Sequence, residues 1–317
     1  MLRLYAEDPE SHIQEIRDIL EYFEPNDEPH IKTINDGISA KQRQIIVPTY
    51  LEVIVYNAVS NVLRMIFTPH FYEHSYASIP KRGTHKCLHR IEKWIRGKNN
   101  LYVYTLDIRG FFKHVRRNIL SRKLRKVIND KRFYELLMMI LWSTPRYMGL
   151  PLGFPTSQWL ANFYLTETDF FIAHRRGVYK FARFMDNMVI FSYTKETINE
   201  LKTDLRRRLL VLDLEIKHGH MVFPLRGRLF IDFLGYRIYH NHTTLRRKLA
   251  LKIARKARRI HSQSVVNIHS VRQMVTYLGY FKHVQCYGFF CREIKPNVNP
   301  KRLRAYVSSK DKQRLAA

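Results

Sequence analysis

YKFARFMDNMVIFSY, residues 179–193, places one carboxylate and one amide between two apolar runs. The runs YKFARF and MVIFSY are rich in β-branched and aromatic residues, which is typical of strands. Asp-Asn is a favourable turn pair, because both side chains hydrogen-bond to nearby backbone. The stretch therefore predicts a β-hairpin with Asp186 and Asn187 at its tip. A simple turn role for this pair is the first alternative to a chemical one.

A second isolated carboxylate, Asp107, ends the apolar run LYVYTLDI at residues 101–108. The run predicts a buried strand, where a carboxylate is costly unless a positive group meets it. If the two strands are neighbours, Asp107 and Asp186 repel each other unless a cation lies between them. Their oxygens suit Mg²⁺, which proteins often bind with one or two carboxylates plus substrate phosphates. The alternative is that Asp107 caps the next segment and Asp186 only makes a turn.

The chain is strongly basic, because 55 Lys and Arg against 27 Asp and Glu give a formal net charge of +28 over 317 residues. The first thirty residues are the exception, with nine acidic and two basic side chains. Such an excess of one sign predicts a polyanionic partner, and nucleic acid rewards a basic surface by releasing counterions. A ribosome-associated or membrane-surface protein is the alternative that charge alone allows.

Cysteine usage and the N-terminal sequence disfavour secreted and membrane classes. Cys87, Cys286 and Cys291 have no metal-type spacing and are typical of a reduced cytoplasmic protein. The start, MLRLYAEDPESH, brings acidic side chains where a signal peptide would be apolar. No apolar run is expected to reach the length of a membrane span. We therefore expect a cytoplasmic protein without a membrane partner.

Helical and strand patterns alternate along the chain and predict an α+β fold. We expect an acidic helical segment over residues 1–35, a sheet-and-helix domain over 36–242 and a basic helical region over 243–317. The principal elements expected are helices at 11–24, 50–67, 88–97, roughly 117–142, 159–176 and 195–212, and strands at 41–48, 101–108, 179–184 and 188–193. Residues 221–239 predict two short strands around a basic turn.

Several motifs follow one another in a fixed order around the two aspartates. LDIRGFF is followed by GLPLGFPTSQWLANFYL and then by FMDN. This order and spacing resemble the palm motifs of reverse transcriptases. KQRQIIVP and SIPKRGTH resemble the fingers motifs of that family, and LDLEIK and IDFLGYRIY resemble its later palm and primer-grip motifs. The resemblance covers roughly residues 38–290. It implies a right-hand polymerase with fingers, a palm of antiparallel sheet plus helices, and a basic helical thumb.

The middle palm motif resembles one branch of the family in particular. Leu152-Gly153 and Ser157-Gln158 stand where group II intron enzymes usually have Gln-Gly and Ser-Pro. The apolar-Gly and Ser-Gln form resembles the reverse transcriptases of diversity-generating retroelements. That branch implies a compact enzyme that copies a template RNA with errors at adenines, together with a small basic accessory protein or a structured non-coding RNA. Bacterial phage-defence reverse transcriptases share much of the pattern and are the alternative branch.

The resemblance implies catalysis around two Mg²⁺ ions, which Mn²⁺ could replace. Asp107, Asp186 and Asn187 are the implied catalytic residues, and Asp107, Asp186 and the backbone of Ile108 are the implied metal ligands. The expected reaction adds dNTPs to a DNA or RNA primer on a template RNA. Phe112 takes the position of the steric gate beneath the sugar, so its ring predicts dNTP rather than rNTP use. The alternative is that Phe112 is a core residue.

Further nucleotide contacts are implied in three motifs. Basic side chains in the fingers motifs could grip the triphosphate, although a solvated surface charge is an equal alternative. The loop before the WLANFYL helix could approach the nucleotide through glycine backbone and helix N–H groups, and helix capping is its alternative. A lysine in LDLEIK could be the general acid for pyrophosphate, and a surface charge without a chemical role is its alternative. These residues are Lys41, Arg43, Arg82, Gly153, Ser157, Gln158 and Lys217.

LRRKLALKIARKARRI, residues 245–260, has eight basic residues and no acidic one. Leu249, Ile253 and Ala257 mark one apolar face, so the basic side chains occupy the other. We expect a thumb helix on the backbone of the template–primer duplex, and a solvated charged face is the usual alternative. The nucleic-acid contacts expected are Arg246, Arg247, Lys248, Lys252, Arg255, Lys256 and Arg259.

Asn187 departs from the family pattern, which usually has a second aspartate at this position. An amide still offers a carbonyl oxygen, so we expect an active enzyme. The alternative is a catalytically weakened RNA-binding protein built on the same fold.

Overall fold

The structure is a computed structural model that describes residues 9–22, 30–35, 42–145, 149–263 and 265–316. The chain divides into two compact units. Unit 1 contains Met1–Cys87 and Tyr102–Val222, and unit 2 contains Leu88–Leu101 and Phe223–Ala317.

Helices and strands alternate through the first two thirds of the chain. In order they are α1 (Pro9–Glu21), β1 (His30–Asn35), β2 (Gln42–Val47), α2 (Tyr50–Phe67), α3 (Thr84–Ile95), β3 (Tyr102–Asp107), α4 (Phe111–His114), α5 (Arg117–Arg125), α6 (Lys131–Trp142), α7 (Pro155–Tyr164), α8 (Thr166–Ala173), β4 (Val178–Phe184), β5 (Asn187–Ser192), α9 (Lys195–Val211) and β6 (Met221–Pro224). The remaining elements are β7 (Ile231–Phe233), β8 (Tyr236–Ile238), β9 (Thr243–Leu245), α10 (Arg247–His261), α11 (Ile268–Tyr280), α12 (Tyr287–Phe289) and α13 (Pro300–Ala316).

The central sheet has the strand order β4-β5-β3-β6. β5 is antiparallel to both β4 and β3, and its first residue, Asn187, pairs with Phe184 on one side and with Asp107 on the other. The predicted hairpin is therefore confirmed, but its two turn residues are Met185 and Asp186, and Asn187 already belongs to β5. Met185 has a φ of 58°, a left-handed conformation that is strained for a side chain other than glycine.

The core of unit 1 lies between this sheet and the helices α2 and α7. Eight of the ten residues of α7 are buried, and they include the polar residues Thr156, Ser157 and Asn162. α2 packs against α7, and the rings of Phe67 and Phe163 stack with centroids 4.4 Å apart. Thr49 and Glu52 form a capping box that fixes the start of α2.

One helix exceeds the apolar length expected from the sequence. Residues Tyr50–His70 are long and apolar enough to cross a membrane by length and composition, and they are the one such segment among the described residues. The expectation that no apolar run reaches this length is therefore wrong for α2. Val55, Leu63 and Phe67 of α2 are buried in the core of unit 1, so core packing accounts for its apolar sequence.

Five predicted elements differ in extent or type. The helix expected over 88–97 begins earlier, at Thr84, within the stretch expected to be a basic loop. The helix expected over 117–142 is interrupted after Arg125, because Asp130 caps a new helix by accepting the Phe133 N–H at 2.7 Å. The helix expected over 159–176 begins earlier and divides into α7 and α8 at Leu165. Residues 221–239 form three strands rather than two, namely β6, β7 and β8. The expected helical segment 1–35 also contains β1, which pairs with β2.

Unit 2 combines the sheet β7-β8-β9 with the C-terminal helices. The predicted apolar face of the basic helix is confirmed, since Leu249, Ile253 and Ala257 of α10 are buried. α11 packs against α10 and buries Val271 and Met274. Burial of this one face leaves most of the basic side chains of α10 toward solvent.

Candidate active site

The two aspartates lie together at one edge of the central sheet. Asp107 ends β3 directly opposite Asn187, so it is next to the turn that carries Asp186. The Ile108 N–H donates to the backbone carbonyl of Asp186 at 3.1 Å and ties the two chain segments together. Antiparallel pairing of β3 and β5 thus brings two residues 79 positions apart into one site.

Burial and the nearby charge of Asp107 perturb the pKa of Asp186. The pKa of Asp186 is raised to about 6, first because the group is desolvated and second because Asp107 is close to it. The positive charge of Arg43 acts in the opposite direction on the pKa of Asp186, which places the predicted fingers residue within electrostatic reach of the site. A pair of this kind is the arrangement that a bound cation would relieve.

The oxygens of Asp107 differ in their partners. Oδ2 accepts a hydrogen bond from Lys217 Nζ at 3.0 Å, and the Lys217 N–H also donates to the Asp107 carbonyl at 2.8 Å. Oδ1 is buried and has no hydrogen-bond partner among the described residues. A buried carboxylate oxygen without a donor is costly, so the donor set fits a hard divalent cation.

The candidate site rests on two carboxylates only. Within the part of the chain that the structure describes, no group of three or more His, Cys, Asp or Glu side chains could hold a metal ion. Any cation here would therefore depend on Asp107, Asp186, backbone oxygens and the phosphates of a substrate.

Asn187 contacts the turn of Met185 and Asp186 directly. Its Nδ2 donates to Asp186 Oδ1 at 3.2 Å. The amide therefore orients the Asp186 carboxylate and adds no third negative charge beside the pair.

A buried ion pair beneath the turn was not predicted from the sequence. Arg183 is fully buried and donates to both carboxylate oxygens of Asp169, each at 2.6 Å. It also donates to Asn162 Oδ1 and to the Met185 carbonyl, both at 3.0 Å. The guanidinium thus fixes the strained residue that precedes Asp186. The available signal was one arginine inside the apolar run YKFARF and one acid, Asp169, inside an apolar helix.

Two predicted nucleotide contacts, Arg82 and Gly153, make other contacts in this structure. Arg82 donates to the carbonyls of Tyr72 and Ser75, at 2.7 and 2.9 Å, and so closes its own loop. Gly153 has a φ of +118°, and a Cβ there would be 2.1 Å from the Ile46 carbonyl oxygen. The close backbone approach that requires glycine is therefore to β2.

The other predicted nucleotide contacts vary in exposure. Phe112 is half-buried, and its carbonyl accepts the Leu150 N–H at 2.7 Å. Ser157 is buried and its hydroxyl has no partner among the described residues, whereas Gln158 is exposed on the same helix. Lys41 lies outside the described residues. A nucleotide role for each of them stays a prediction.

The predicted nucleic-acid contacts of unit 2 differ in their exposure and in their intramolecular partners. Arg246 pairs with Asp232, and Lys256 donates to Ser270 Oγ at 2.9 Å, so both have intramolecular partners. Lys252 is half-buried. The exposed residues are Arg247, Lys248, Arg255 and Arg259.

Comparison with known proteins identifies the family. Residues 32–280 match the family model for reverse transcriptase (RNA-dependent DNA polymerase). The match covers most of the chain, which therefore belongs to the reverse transcriptase family, as the motifs predicted. Members of this family generally use divalent metal ions.

A curated relative gives the same result at the level of sequence. The chain is similar to the group II intron-encoded protein LtrA of Lactococcus lactis subsp. cremoris, with 29% identity over 213 residues. The similarity covers 65% of this chain and 34% of LtrA, so the chain spans about a third of the length of the curated relatives it matches.

Solved structures confirm the predicted right-hand polymerase fold. Telomerase from Candida albicans, in complex with a fragment of telomeric RNA, is 12% identical with a TM-score of 0.55, over 84% of this chain and 55% of that one. Telomerase from Candida tropicalis without its C-terminal domain is 14% identical with a TM-score of 0.54, over 73% and 59%. At these identities the similarity is one of fold.

Proposed function

We propose that the chain is an RNA-directed DNA polymerase that extends a DNA or RNA primer with dNTPs on an RNA template. One observation carries the proposal: Asp107 and Asp186, which occupy the family's palm motifs, lie on paired strands and share a desolvated site. Family membership supports the same reaction.

Asp107, Asp186 and the backbone of Ile108 would hold two Mg²⁺ ions, or Mn²⁺ in their place. When bound, such ions activate the primer 3′-hydroxyl and stabilise the charge on the leaving pyrophosphate. The chain contributes the carboxylate pair and fixes its geometry through the Ile108 N–H and the buried Arg183.

Lys217 and Asn187 would assist the reaction from opposite sides of the pair. Lys217 is about half exposed and donates to Asp107, so its ammonium would be available to give a proton to a leaving phosphate bound beside the pair. Asn187 would keep the Asp186 carboxylate in one orientation through its amide N–H.

The nucleic acid would be bound largely through its phosphates. The formal net charge of +28 supports a polyanionic partner, and the exposed basic side chains of α10 supply one surface for the template–primer duplex. The similarity to a telomerase solved with telomeric RNA supports an RNA partner for a protein of this fold.

A finer assignment rests on the middle palm motif. Leu152-Gly153 and Ser157-Gln158 favour mutagenic copying in a diversity-generating retroelement, with a small basic accessory protein or a structured RNA as partner. Phage defence is the alternative role of the same enzyme. Asn187 favours one different candidate, an RNA-binding protein with weakened catalysis.

Primer extension tests the proposal. Wild type, Asp186→Ala and Asn187→Asp would be compared on an RNA template with a DNA primer, dNTPs and either Mg²⁺ or Mn²⁺. Extension by wild type that is lost in Asp186→Ala supports the polymerase. If wild type extends no primer with either ion and Asn187→Asp does, the chain is instead an RNA-binding protein with weakened catalysis.

A further inference from the structure

An open cleft of about 850 Å³ lies in unit 1, and neither Asp107 nor Asp186 lines it. Its walls come from the end of α4, the first half of α5 and the end of α6. We call it the α5 cleft. Its lining includes Lys113, Arg116, Arg117, Arg122, Trp142 and Asp213.

Positive charge dominates the lining of the α5 cleft. Four lysine and arginine side chains face one carboxylate, and Asp213 is already paired with Arg116. Lys113 and Arg122 are exposed, and no salt bridge of either is found among the described residues. Exposed cations converging on a concave surface attract polyanions more strongly than the same charges on a convex one.

Arg117 holds a buried charge at the base of the cleft. Its guanidinium donates to the carbonyls of Gly149 and Thr144, at 2.9 and 2.8 Å, and to the Thr144 hydroxyl. These acceptors are all neutral, and no carboxylate pairs with Arg117 among the described residues. Burial lowers the pKa of Arg117 without an opposing carboxylate, so the charge lacks a counterion. An anion in the cleft would supply one.

Trp142 adds an aromatic surface to the same cleft. It ends α6 with 46% of its surface exposed, although a tryptophan is normally well buried. The Arg117 guanidinium lies 5.6 Å from the centre of its ring, which fixes the indole against the cation. Exposed aromatic rings among basic side chains are typical of surfaces that bind single-stranded nucleic acid, because an unpaired base stacks on the ring.

We propose that the α5 cleft binds a single-stranded segment of RNA, with its phosphates on Lys113 and Arg122 and a base stacked on Trp142. The choice of RNA rests on the proposed function, in which the unpaired part of the template is RNA. The cleft begins one residue after Phe112, so a strand in it would run close to the nucleotide-binding region. Stacking on Trp142 requires an unpaired base, which excludes a duplex at this point.

Tryptophan fluorescence reports on this site directly. The chain has three tryptophans, and Trp94 and Trp159 are only 6% and 9% exposed, so quenching by an added strand should come mainly from Trp142. The full-length chain, without dNTPs or divalent ions, would be titrated with a 12-nucleotide oligo(U) RNA. We expect quenching in wild type and none in Trp142→Phe. Trp142→Ala should weaken binding, measured by fluorescence anisotropy of labelled RNA, on the order of tenfold.

Charge variants test the phosphate contacts. Lys113→Gln/Arg122→Gln should weaken binding and reduce the slope of log affinity against log salt by about 1.4, since each lost contact to a single strand contributes about 0.7. The matched control, Lys126→Gln/Arg132→Gln, removes two exposed charges outside the lining and should keep the wild-type salt slope. Circular dichroism would confirm that each variant is folded.

Several results would overturn the inference. The first is quenching that persists in Trp142→Phe. The second is a loss of binding in Lys126→Gln/Arg132→Gln as large as that in Lys113→Gln/Arg122→Gln. The third is tighter binding of oligo(dU) or duplex RNA than of oligo(U). The binding assay needs no catalysis, so its outcome is separate from primer extension. If wild type shows quenching by oligo(U) but no primer extension, the result counts against the polymerase alone. If it extends primers but shows no quenching, the result counts against the α5 cleft alone.

Discussion

Removing the carboxylate of Asp169 should strongly destabilise unit 1. Arg183 and Asp169 have side chains only 0% and 1% exposed, and they are joined by two hydrogen bonds of 2.6 Å. Burial raises the pKa of Asp169 while the charge of Arg183 opposes that shift, so the ion pair is held together against desolvation. Asp169→Ala would leave the Arg183 guanidinium buried without a counterion.

The expected cost is about 3–5 kcal/mol, the range for breaking a buried ion pair by removing one partner. Replacing both partners with apolar residues, as in Asp169→Leu/Arg183→Met, removes the unpaired charge and should restore most of the stability. The double variant also loses the hydrogen bond from Arg183 to the Met185 carbonyl. It should therefore fold but extend primers more slowly than wild type, because the strained turn before Asp186 is no longer fixed.

Urea denaturation followed by circular dichroism measures the stability, and steady-state primer extension measures the activity. The exposed pair Lys131–Glu135, with N–O distance 3.8 Å, is the matched control, and Glu135→Ala should cost less than about 0.5 kcal/mol. A loss below about 1 kcal/mol in Asp169→Ala would refute the assigned role of the pair in stability. Full activity in a folded double variant would refute its role in positioning the turn.

Three other predictions follow from single contacts. Gly153→Ala should lower the free energy of unfolding, measured in urea, by at least about 2 kcal/mol, because its Cβ would meet a β2 carbonyl oxygen at 2.1 Å. In the control, Gly219→Ala, the new Cβ meets no atom within 4 Å, so the loss should be smaller. Equal losses in the two variants would contradict the close approach of Gly153 to β2. The raised pKa of Asp186 means that the folded, metal-free protein binds more protons than the unfolded chain between pH 4 and 6. The free energy of unfolding in EDTA should therefore fall by up to about 3 kcal/mol as pH rises through this window, and the fall should disappear in Asp186→Asn. Lys217→Ala removes a partly exposed ion pair, so it should cost less than about 1 kcal/mol of stability. It should slow primer extension on the order of 100-fold, because the proposed general acid is lost. An unchanged extension rate would show that Lys217 takes no part in the reaction.

The sequence predicted the two carboxylates and their strands because both signals are local. A lone acid inside an apolar run is costly to bury, and this cost marked Asp107 and Asp186 before any pairing was known. The motif order then placed them in one family. The pairing register of β5 was not a local property, so the turn lies one residue earlier than Asp-Asn chemistry suggested.

Tertiary contacts explain the remaining differences between the predicted and the observed site. Arg82 and Gly153 have the residue types that nucleotide contacts require, but in this structure Arg82 donates to carbonyls of its own loop and Gly153 lies against a carbonyl of β2. Arg117 carries no sequence signal beyond a basic side chain in a basic segment, and the signal of Arg183 is only its place inside the apolar run YKFARF. Their importance comes from burial, which depends on packing between elements. A sequence pattern can identify a charged residue, but only the tertiary structure shows whether its charge is paired.

Asn187 illustrates how such contacts change the meaning of a departure from a family pattern. A second aspartate at this position would add a third negative charge to a site in which repulsion from Asp107 already raises the pKa of Asp186. The amide avoids that charge and donates to Asp186 Oδ1. The asparagine therefore favours the ionised form of Asp186, the form that can bind a cation, and its presence is compatible with an active site of two carboxylates.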